Sequence, residues 1–510
     1  MFATNDVNAQ ALEVIWRTDG YKLGHRQQYP RGTTSVYSNL TPRSVYGGET
    51  EERPGYVVMF GLRHFLLQLQ RDYQAFFDCD IDVVARSFAE RFEAFTGLEA
   101  DTSHLYELHE LGYLPLRVKA LPEGTLGLIG QPLVTITNTH PCAFWLVNYL
   151  ETWLSSAMWQ PITSATTAYN VRRLMDDYAV ATGCDPEANG FLAHDFSYRG
   201  MAGIEAASAS GAAHLLSFVG SDSLSSWDYI TTTYPATKGT VQVGVPATEH
   251  AVMSAGAVMD ADGNMDERDQ VQHLLDTYPT GIVSVVSDTY DFWGMLTGVL
   301  PEFREDIMAR DGKWVVRPDS GNPVDVVCGD PSAPDGSPER VGALQLLWDT
   351  FGGTTNSTGY KELDSHIGLI YGDSMTYARV DEMFARMKAA GFATNNIVVG
   401  LGSFSYQYVT RDTYGMAVKA TSVVIEGKRK AIFKDPKTGK AKKSARGLLR
   451  VVDTPCGRRL LEDVDAPEEA WERDEDVLRT VFVDGNIVNL EDDFQVLRAT
   501  LRNQEVPQRA

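Results

Sequence analysis

Charged and glycine residues follow a series of apolar runs in the second half of the chain, where they could form one reactive site. The runs IVSVVSD, WVVRPDSG, GLIYGDS and IVVGLGS bring these residues to their ends: Asp288, Arg317 with Asp319, Asp373, and Gly402. An aspartate after a strand can instead cap the helix that follows. Four such runs in succession favour a site.

A basic stretch lies further along, in KRKAIFKDPKTGKAKKSAR (residues 428–446). It holds nine lysines and arginines in a chain whose formal net charge is −23. Such a run on its own is usually a solvated face or a loop. In the functional interpretation it binds a polyanion, and the small phosphates of a nucleotide precursor suit it best. Nucleic acid and anionic membrane are disfavoured as partners because a strongly acidic surface repels phosphate backbones.

The same apolar runs indicate the elements that position these residues. Continuous apolar runs are typical of parallel strands covered on both faces. Most intervals between the runs are close to the roughly 30 residues of a strand, a crossover helix and a loop, and the longer one contains the turn-rich segment 329–339. With helical patterns between them, such as 376–390, they predict a β/α barrel or barrel-like domain. Reactive groups in such barrels lie at the carboxyl ends of the strands.

The chain of 510 residues is predicted to form more than one domain, because a single core tends to stop growing near roughly 250–300 residues. The fold class is α/β, and we predict three parts: an N-terminal α+β region over 1–185, the barrel-like domain with the basic loop over 186–470, and a C-terminal hairpin and helix over 471–510. The hairpin is predicted from VFVDGNIVN, with Asp484 and Gly485 at its turn.

The sequence favours a cytoplasmic protein. The N-terminus lacks the basic start and apolar stretch of a secretory signal. The most apolar long segment, 143–159, contains Asn148 and Glu151 and is shorter than the ~20 residues of a spanning helix, so a buried helix is predicted. Five cysteines lie far apart without a C-x-x-C pair, which favours reduced thiols over zinc or a disulfide framework.

Three further segments carry a family resemblance: TDGYKLGHRQQYP (18–30), HDFSYRGMAGIEAA (194–207) and VPATEH (245–250). With VVSDTYD, RPDSGNP, YGDS, TRD and FKDP in the same order, the chain resembles the nicotinamide phosphoribosyltransferases of the type II phosphoribosyltransferase family from about residue 16 to about residue 490. The resemblance implies an irregular α/β barrel beside an α+β domain, and a homodimer with active sites at its interface. The implied reaction joins nicotinamide to phosphoribosyl pyrophosphate in NAD salvage, with Mg²⁺.

The resemblance also implies how the pyridine base is held. A flat, weakly polar base is best held between rings, and Phe196 and Tyr21 are the matching pair, the tyrosine coming from the neighbouring subunit in the family. Asp222 matches the carboxylate that accepts a hydrogen bond from the amide of nicotinamide and repels nicotinate. The remaining positions that match around the base and ribose are Asp19, Ala247, Pro318, Gly372 and Asp373.

Attack by the ring nitrogen on the ribose C1 needs no general base, because the neutral nitrogen carries a lone pair. Catalysis is then mainly positioning and charge. The cations that match phosphate-binding positions are Arg43, Arg199, Arg317, Arg411, Lys419, Lys434 and Lys442. The resemblance implies that Asp319 offsets the developing positive charge and that Asp288 supports ribose hydroxyls or metal-bound water. Mg²⁺ is expected to bind mainly through pyrophosphate and water.

Two further features concern ATP and the 5′-phosphate. His250 matches the histidine that ATP phosphorylates in the family, which implies that ATP hydrolysis is coupled to synthesis. The segment GLGSFSYQ (400–407) departs from the glycine run that cradles the 5′-phosphate, because Ser403 and Phe404 replace two glycines after Gly402. A different path of this loop is expected.

Three alternatives to a nicotinamide enzyme stay open at this point. A nicotinate phosphoribosyltransferase shares the phosphate chemistry, although Asp222 argues against it. A non-catalytic nucleotide-binding homologue is motivated by the altered glycine loop. A Schiff-base aldolase on a similar barrel would want a lysine at a strand end, and none of the four runs ends in one.

Overall fold

The computed structural model describes residues 6–235, 241–259, 263–434, 444–464, 471, 475–490 and 492–509. The strands are β1 (Thr33–Pro42), β2 (Tyr56–Val58), β3 (Leu116–Ala120), β4 (Leu126–Leu128), β5 (Val134–Asn138), β6 (Ala193–Asp195), β7 (Gly220–Ser221), β8 (Val258–Met259), β9 (Met265–Asp266), β10 (Thr280–Val286), β11 (Asp311–Arg317), β12 (Gly353–Thr355), β13 (Lys361–Leu363), β14 (Ile367–Met375), β15 (Ile397–Leu401), β16 (Met416–Ile425), β17 (Lys428–Ala431), β18 (Leu448–Thr454), β19 (Gly457–Asp463), β20 (Arg479–Val483) and β21 (Asn486–Ile487).

The helices follow the same chain order. They are α1 (Val7–Ile15), α2 (His25–Gln28), α3 (Leu62–Phe77), α4 (Ile81–Thr96), α5 (Ser103–Leu111), α6 (Leu146–Tyr149), α7 (Glu151–Ala181), α8 (Ile204–His214), α9 (Ser225–Thr233), α10 (His250–Gly256), α11 (Arg268–Thr277), α12 (Phe292–Gly294), α13 (Leu300–Glu302), α14 (Arg304–Ala309), α15 (Pro323–Cys328), α16 (Pro338–Val341), α17 (Ala343–Phe351), α18 (Tyr377–Ala389), α19 (Ser403–Tyr406) and α20 (Phe494–Arg502).

The chain forms two compact units. Unit 1 comprises Met1–Thr166, Thr231–Pro235 and Val409–Ala510, and unit 2 comprises Thr167–Ile230 and Ala236–Tyr408. This division differs from the predicted parts 1–185, 186–470 and 471–510. The reason is long-range strand pairing: β16 pairs antiparallel with β1, and β20 pairs antiparallel with β3. Four strands after residue 409, namely β16, β17, β20 and β21, therefore share a sheet with the N-terminal region.

Unit 1 is built on a mixed α+β core. Its sheet has the strand order β17-β16-β1-β5-β3-β20-β21, and apolar faces of α1, α3 and α4 pack in the same core. The predicted hairpin is present as β20 and β21. The apolar segment 143–159 forms buried α6 and the start of α7. Among the described residues, no helix has the length and apolar character needed to cross a bilayer.

Unit 2 is built on a parallel sheet with the strand order β10-β11-β14-β15-β6-β7. The segment 243–247 makes a parallel bridge to each edge strand, Val243 to β7 and Ala247 to β10, and so connects the two edges of the sheet. Apolar side chains on the strands are buried under α15, α17 and α18. The barrel-like α/β fold predicted from the four apolar runs is therefore confirmed.

Candidate active site

The predicted polar residues of unit 2 gather at one edge of its sheet. Because all six strands are parallel, their carboxyl ends meet there, which puts Phe196 after β6, Asp222 after β7 and Asp288 after β10 at the same edge. Arg317 ends β11, and Gly402 follows β15. Pairing of the strands thus brings together residues that are far apart in the sequence.

A small pocket with a cavity volume of about 40 Å³ lies among these strand ends. Four predicted residues line it, namely Phe196, Asp222, Ala247 and Arg317. The other lining residues are Phe191, His194, Val245, Ile282, Ser284, Val315, Ile370 and Val398. The lining is mostly apolar with a few polar groups, which is the usual character of a site for a small flat ligand.

Two glycines make room for the ring of Phe196. A Cβ atom on Gly400 would lie 2.6 Å from Cδ2 of Phe196, and one on Gly372 would lie 3.6 Å from the same atom. The Cβ position of Gly372 is also 3.6 Å from Oδ1 of Asp319. The aromatic ring and this carboxylate therefore lie against the same point of β14. A Cβ at Gly372 would make only ordinary contacts there, whereas a Cβ at Gly400 on β15 would displace the ring of Phe196.

The carboxylate of Asp222 is electrostatically distinct. The surrounding protein raises its pKa by desolvation, Arg317 opposes this rise, and Asp195 adds to it. Asp222 still reaches solvent, and its backbone N–H donates to the carbonyl of Asp195 at 3.0 Å. A half-desolvated carboxylate held near an arginine can accept a hydrogen bond from a neutral amide and disfavours an anion.

Arg317 is the central cation of the pocket. Its Nη2 donates to the carbonyl of Thr248 at 2.6 Å, and its buried Nε has no hydrogen-bond partner among the described residues. Burial lowers the pKa of Arg317, and the carboxylates of Asp319, Asp222 and Asp288 oppose this effect, in that order. Arg199 contributes to the lowering, which places it in the same electrostatic neighbourhood.

Asp288 holds the loop after β11. Its Oδ2 accepts hydrogen bonds from the backbone N–H of Asp319 at 2.7 Å and from the hydroxyl of Ser320 at 2.6 Å. Buried Tyr371 supports the same loop by donating to the carbonyls of Ser320 and Gly321. Pro318 is buried in the loop. The second oxygen of Asp288, Oδ1, is buried and has no partner among the described residues.

His250 stands at the start of α10, beside this loop. Its Nδ1 lies 3.2 Å from the hydroxyl oxygen of Thr289, and its Nε2 lies 3.9 Å from Oδ2 of Asp319. About half of the His250 side chain is exposed. Thr289 was not predicted as a site residue, although it follows Asp288 directly in the motif VVSDTYD.

The loop after β15 is held by side-chain contacts although it lacks the glycine run. A Cβ on Gly402 would meet nothing within 4 Å. Ser403 packs closely against Gly200, since a Cβ added to Gly200 would lie 2.6 Å from the Cβ of Ser403. The exposed rings of Phe404 and Tyr408 stack at 4.9 Å with an interplanar angle of 5°. Ser403 and Phe404 lie on the short helix α19, so the segment is helical at the two positions where glycines were expected.

The other predicted residues belong to unit 1. Tyr21 is 65% exposed, and Asp19 accepts a hydrogen bond from Thr152 at 2.6 Å. Arg43 donates to the carbonyl of Gly415, and the backbone of Lys434 is bonded to Ser444. These residues do not line the unit 2 pocket described above.

Unit 1 also contains a cationic cluster that sequence reasoning found only in part. Lys419 lies 3.7 Å from Glu151, and burial lowers its pKa while the nearby Arg43, Lys22 and Arg411 act in the same direction. Lys22 is almost fully buried and pairs with Glu151 at 2.7 Å. Lys22 and Glu151 were not predicted, because only folding brings them beside Lys419. Four cations in one neighbourhood, two of them paired with Glu151, suit a phosphorylated ligand.

The structure does not describe the side chains of two predicted residues. Lys442 lies outside the described residues, and for Asp373 only the backbone, near the end of β14, is described.

Glu267 was not predicted from the sequence. It is buried at the start of α11, and desolvation together with the charge of Asp288 raises its pKa to about 7. No motif in the sequence marks it.

Comparison with protein families gives two matches. Residues 191–486 match the family described as nicotinate phosphoribosyltransferase (NAPRTase), and residues 13–118 match the nicotinamide phosphoribosyltransferase N-terminal domain.

Three curated relatives named nicotinamide phosphoribosyltransferase span nearly the whole chain. The one from Acinetobacter baylyi is 43% identical, covering 92% of this chain and 93% of its own. The one from Mycoplasma pneumoniae is 34% identical, covering 86% and 95%, and the one from Xanthomonas campestris is 33% identical, covering 93% and 95%.

Two solved structures share the fold. Nicotinate-nucleotide pyrophosphorylase from Pyrococcus furiosus aligns with a TM-score of 0.54 at 14% identity, covering 99% of each chain. Human nicotinic acid phosphoribosyltransferase aligns with a TM-score of 0.53 at 14% identity, covering 95% of this chain and 93% of its own. At this identity the likeness concerns the fold alone.

Proposed function

The chain belongs to the nicotinate phosphoribosyltransferase family, and we propose that it condenses nicotinamide with phosphoribosyl pyrophosphate to give nicotinamide mononucleotide and pyrophosphate. The chemistry is that of a pentosyltransferase in NAD salvage. The observation that carries the choice of base is Asp222 beside Arg317 in the same pocket as Phe196. Relatives named for the nicotinamide reaction, at up to 43% identity, support it.

In this proposal the residues of unit 2 act by position and charge. The ring of Phe196 stacks on the base, and Asp222 accepts a hydrogen bond from its amide N–H. Asp319, held by the loop that Asp288 anchors, faces the developing positive charge on the sugar and the pyridinium. Arg317 and Arg199 supply positive charge for the phosphates.

The proposal is tested by product formation from nicotinamide and from nicotinate in parallel, each with phosphoribosyl pyrophosphate and Mg²⁺. Selective formation of nicotinamide mononucleotide is expected. Preference for nicotinate would replace the proposed substrate by the acid. Binding of either base without any product would identify a binding protein that has lost catalysis.

Mg²⁺ is proposed to bind mainly through pyrophosphate oxygens and water. Among the described residues, no group of three or more histidine, cysteine, aspartate or glutamate side chains is arranged to hold a metal ion. The buried Oδ1 of Asp288, which has no hydrogen-bond partner in the part of the chain that the structure describes, is suited to accept a hydrogen bond from a metal-bound water. The ion, when bound, neutralises charge on the departing pyrophosphate.

We propose that ATP phosphorylates His250 at Nε2. In the tautomer whose Nδ1–H donates to Thr289, the lone pair is on Nε2, which lies 3.9 Å from Oδ2 of Asp319 on the half-exposed side chain. With His250→Ala, we expect stimulation of turnover by ATP to fall at least about tenfold, and acid-labile label from γ-labelled ATP to disappear. Basal turnover without ATP is the reference for each variant.

His273 serves as a matched control, since it lies on α11, outside the site, and His273→Ala should keep both the label and the stimulation. Persistence of the label in His250→Ala would exclude this residue as the phosphate acceptor.

A homodimer with shared sites is proposed as the working form. Unit 2 exposes large apolar side chains close in sequence to site residues, including Tyr198, Ile204 and Leu224, and Tyr21 of unit 1 is also exposed. We expect Tyr21→Ala and Phe196→Ala to be nearly inactive separately. Refolded or co-expressed mixtures should regain up to about a quarter of wild-type activity, because a mixed dimer has one intact site made from the partner subunit's Tyr21.

A stable, active monomer in a sizing experiment would contradict the dimer proposal. A cytoplasmic location is proposed as well, and the five free cysteines support it.

A further inference from the structure

A fully buried histidine connects two elements beside the site. One is β7, which leads to Asp222, and the other is the short helix α19 in the segment 400–407, the proposed phosphate loop. His214, the last residue of α8, lies between the two. Its Nε2 is 2.9 Å from the carbonyl oxygen of Gly220 on β7, and its Nδ1 is 2.7 Å from the hydroxyl oxygen of Tyr406 on α19. Neither side chain belongs to a motif that carries the family resemblance.

The direction of both hydrogen bonds follows from chemistry. A carbonyl oxygen can only accept, so the Nε2 of His214 must carry the hydrogen that it donates to Gly220. In the neutral ring, Nδ1 is then an acceptor, and Tyr406 must donate its hydroxyl hydrogen to it. Burial raises the pKa of Tyr406 well above its usual value, so the hydroxyl stays protonated and able to donate.

Both ends of this connection lie next to site residues. Gly220 is two residues before Asp222, and the Cβ position of Gly220 is filled by the ring of His194, so the backbone there is tightly packed. Tyr406 is four residues after Gly402, at the end of the helix that the phosphate loop enters. Packing also fixes the His214 ring, which stacks on Phe218 at 4.9 Å.

We propose that His214 and Tyr406 are positioning residues, and that the bridge from Gly220 through His214 to Tyr406 fixes the spacing between the base-recognising carboxylate and the phosphate loop. We call this connection the histidine bridge. It replaces the local constraint of a glycine-rich loop by a hydrogen-bonded connection to β7, which is separated from β15 by β6 in the sheet. The inference rests on the proposed function, because it assigns the two ends to the base and to the 5′-phosphate.

The bridge is tested with three ligands, namely nicotinamide, ribose 5-phosphate and nicotinamide mononucleotide, which joins the two ends. Tyr406→Phe removes only the hydroxyl group. We expect its dissociation constant for nicotinamide mononucleotide to rise about five- to tenfold, while those for the two fragments change less than about twofold. Spacing affects only a ligand that spans both ends, so a general loss of structure would not give this pattern.

Tyr178→Phe is the matched control in the same unit. Its hydroxyl donates to Asp381 on α18 at 2.7 Å, and neither residue lines the pocket, so all three dissociation constants should stay at wild-type values. Thermal melting of each variant checks folding. Two further variants break the bridge at opposite ends: His214→Asn keeps an acceptor near Tyr406, and His214→Gln keeps a donor near Gly220. Both should repeat the pattern of Tyr406→Phe.

The outcomes separate the two proposals. If the wild-type protein makes and binds nicotinamide mononucleotide but Tyr406→Phe binds it equally well, or loses all three ligands in proportion, the histidine bridge has no positioning role. If the wild-type protein neither makes nor binds nicotinamide mononucleotide, the proposed function is wrong, and the positioning role of the histidine bridge is then wrong as well.

Discussion

Asp222→Asn is expected to lower the preference for nicotinamide over nicotinate by about 10- to 10²-fold, measured as the ratio of kcat/KM for the two bases. The carboxylate of Asp222 accepts a hydrogen bond from the amide and repels the carboxylate of nicotinate in a partly desolvated pocket. Loss of this repulsion at contact amounts to roughly 1–3 kcal/mol. Asparagine has the same shape and keeps an oxygen that can accept from the amide, so the change isolates the charge.

Two controls accompany this measurement. Asp269→Asn removes an exposed carboxylate from the first turn of α11 and should leave the ratio unchanged. The second control is pH: because the pKa of Asp222 is raised, the wild-type carboxylate takes up its proton at a higher pH than an ordinary aspartate. Selectivity should therefore fall on the acid side in the wild type and stay flat in Asp222→Asn. An unchanged ratio in the variant would remove Asp222 from base recognition.

The strand ends could be predicted because their signal is local. Runs such as WVVRPDSG contain strand residues that are buried on both faces. Such a run predicts a parallel strand without any information on the strands beside it in the sheet. Parallel pairing then forces Asp288, Arg317 and Asp319 to the same edge, as the structure shows. Because the ends of β10 and β11 lie side by side, the loop after β11 can reach the carboxylate of Asp288.

Residues whose positions depend on distant contacts could not be predicted. Glu267 and Glu151 belong to no motif, and nothing within the segment 18–30 marks Lys22 as a member of a cationic cluster. Asp288 beside Glu267 and Glu151 beside Lys22 come from other parts of the chain. The same reason explains the domain limits, since the pairing of β16 with β1 joins residues nearly four hundred positions apart. The interaction of Tyr406 with His214 is likewise a contact between separate segments.

Asp319→Asn should lower kcat by about 10²–10³-fold with nicotinamide, while KM for nicotinamide changes less than about threefold. The Asp319 carboxylate faces the end of β14 beside the ring of Phe196, where positive charge grows only as the bond to the sugar breaks. An interaction that strengthens in the transition state affects kcat more than binding. The backbone N–H of residue 319 still donates to Asp288 in the variant, so the loop keeps its anchor.

Asp288→Asn separates this charge effect from a loss of loop structure. Asparagine retains one oxygen that can accept from the N–H of Asp319, so a fall in kcat of about tenfold or less is expected, whereas Asp288→Ala removes the anchor and should approach the effect of Asp319→Asn. Turnover is measured without ATP, which excludes a contribution from phosphorylation of His250, whose Nε2 lies 3.9 Å from Asp319. If Asp319→Asn keeps more than about a tenth of wild-type kcat, the carboxylate does not stabilise the charged transition state, and positioning by the loop alone must account for catalysis.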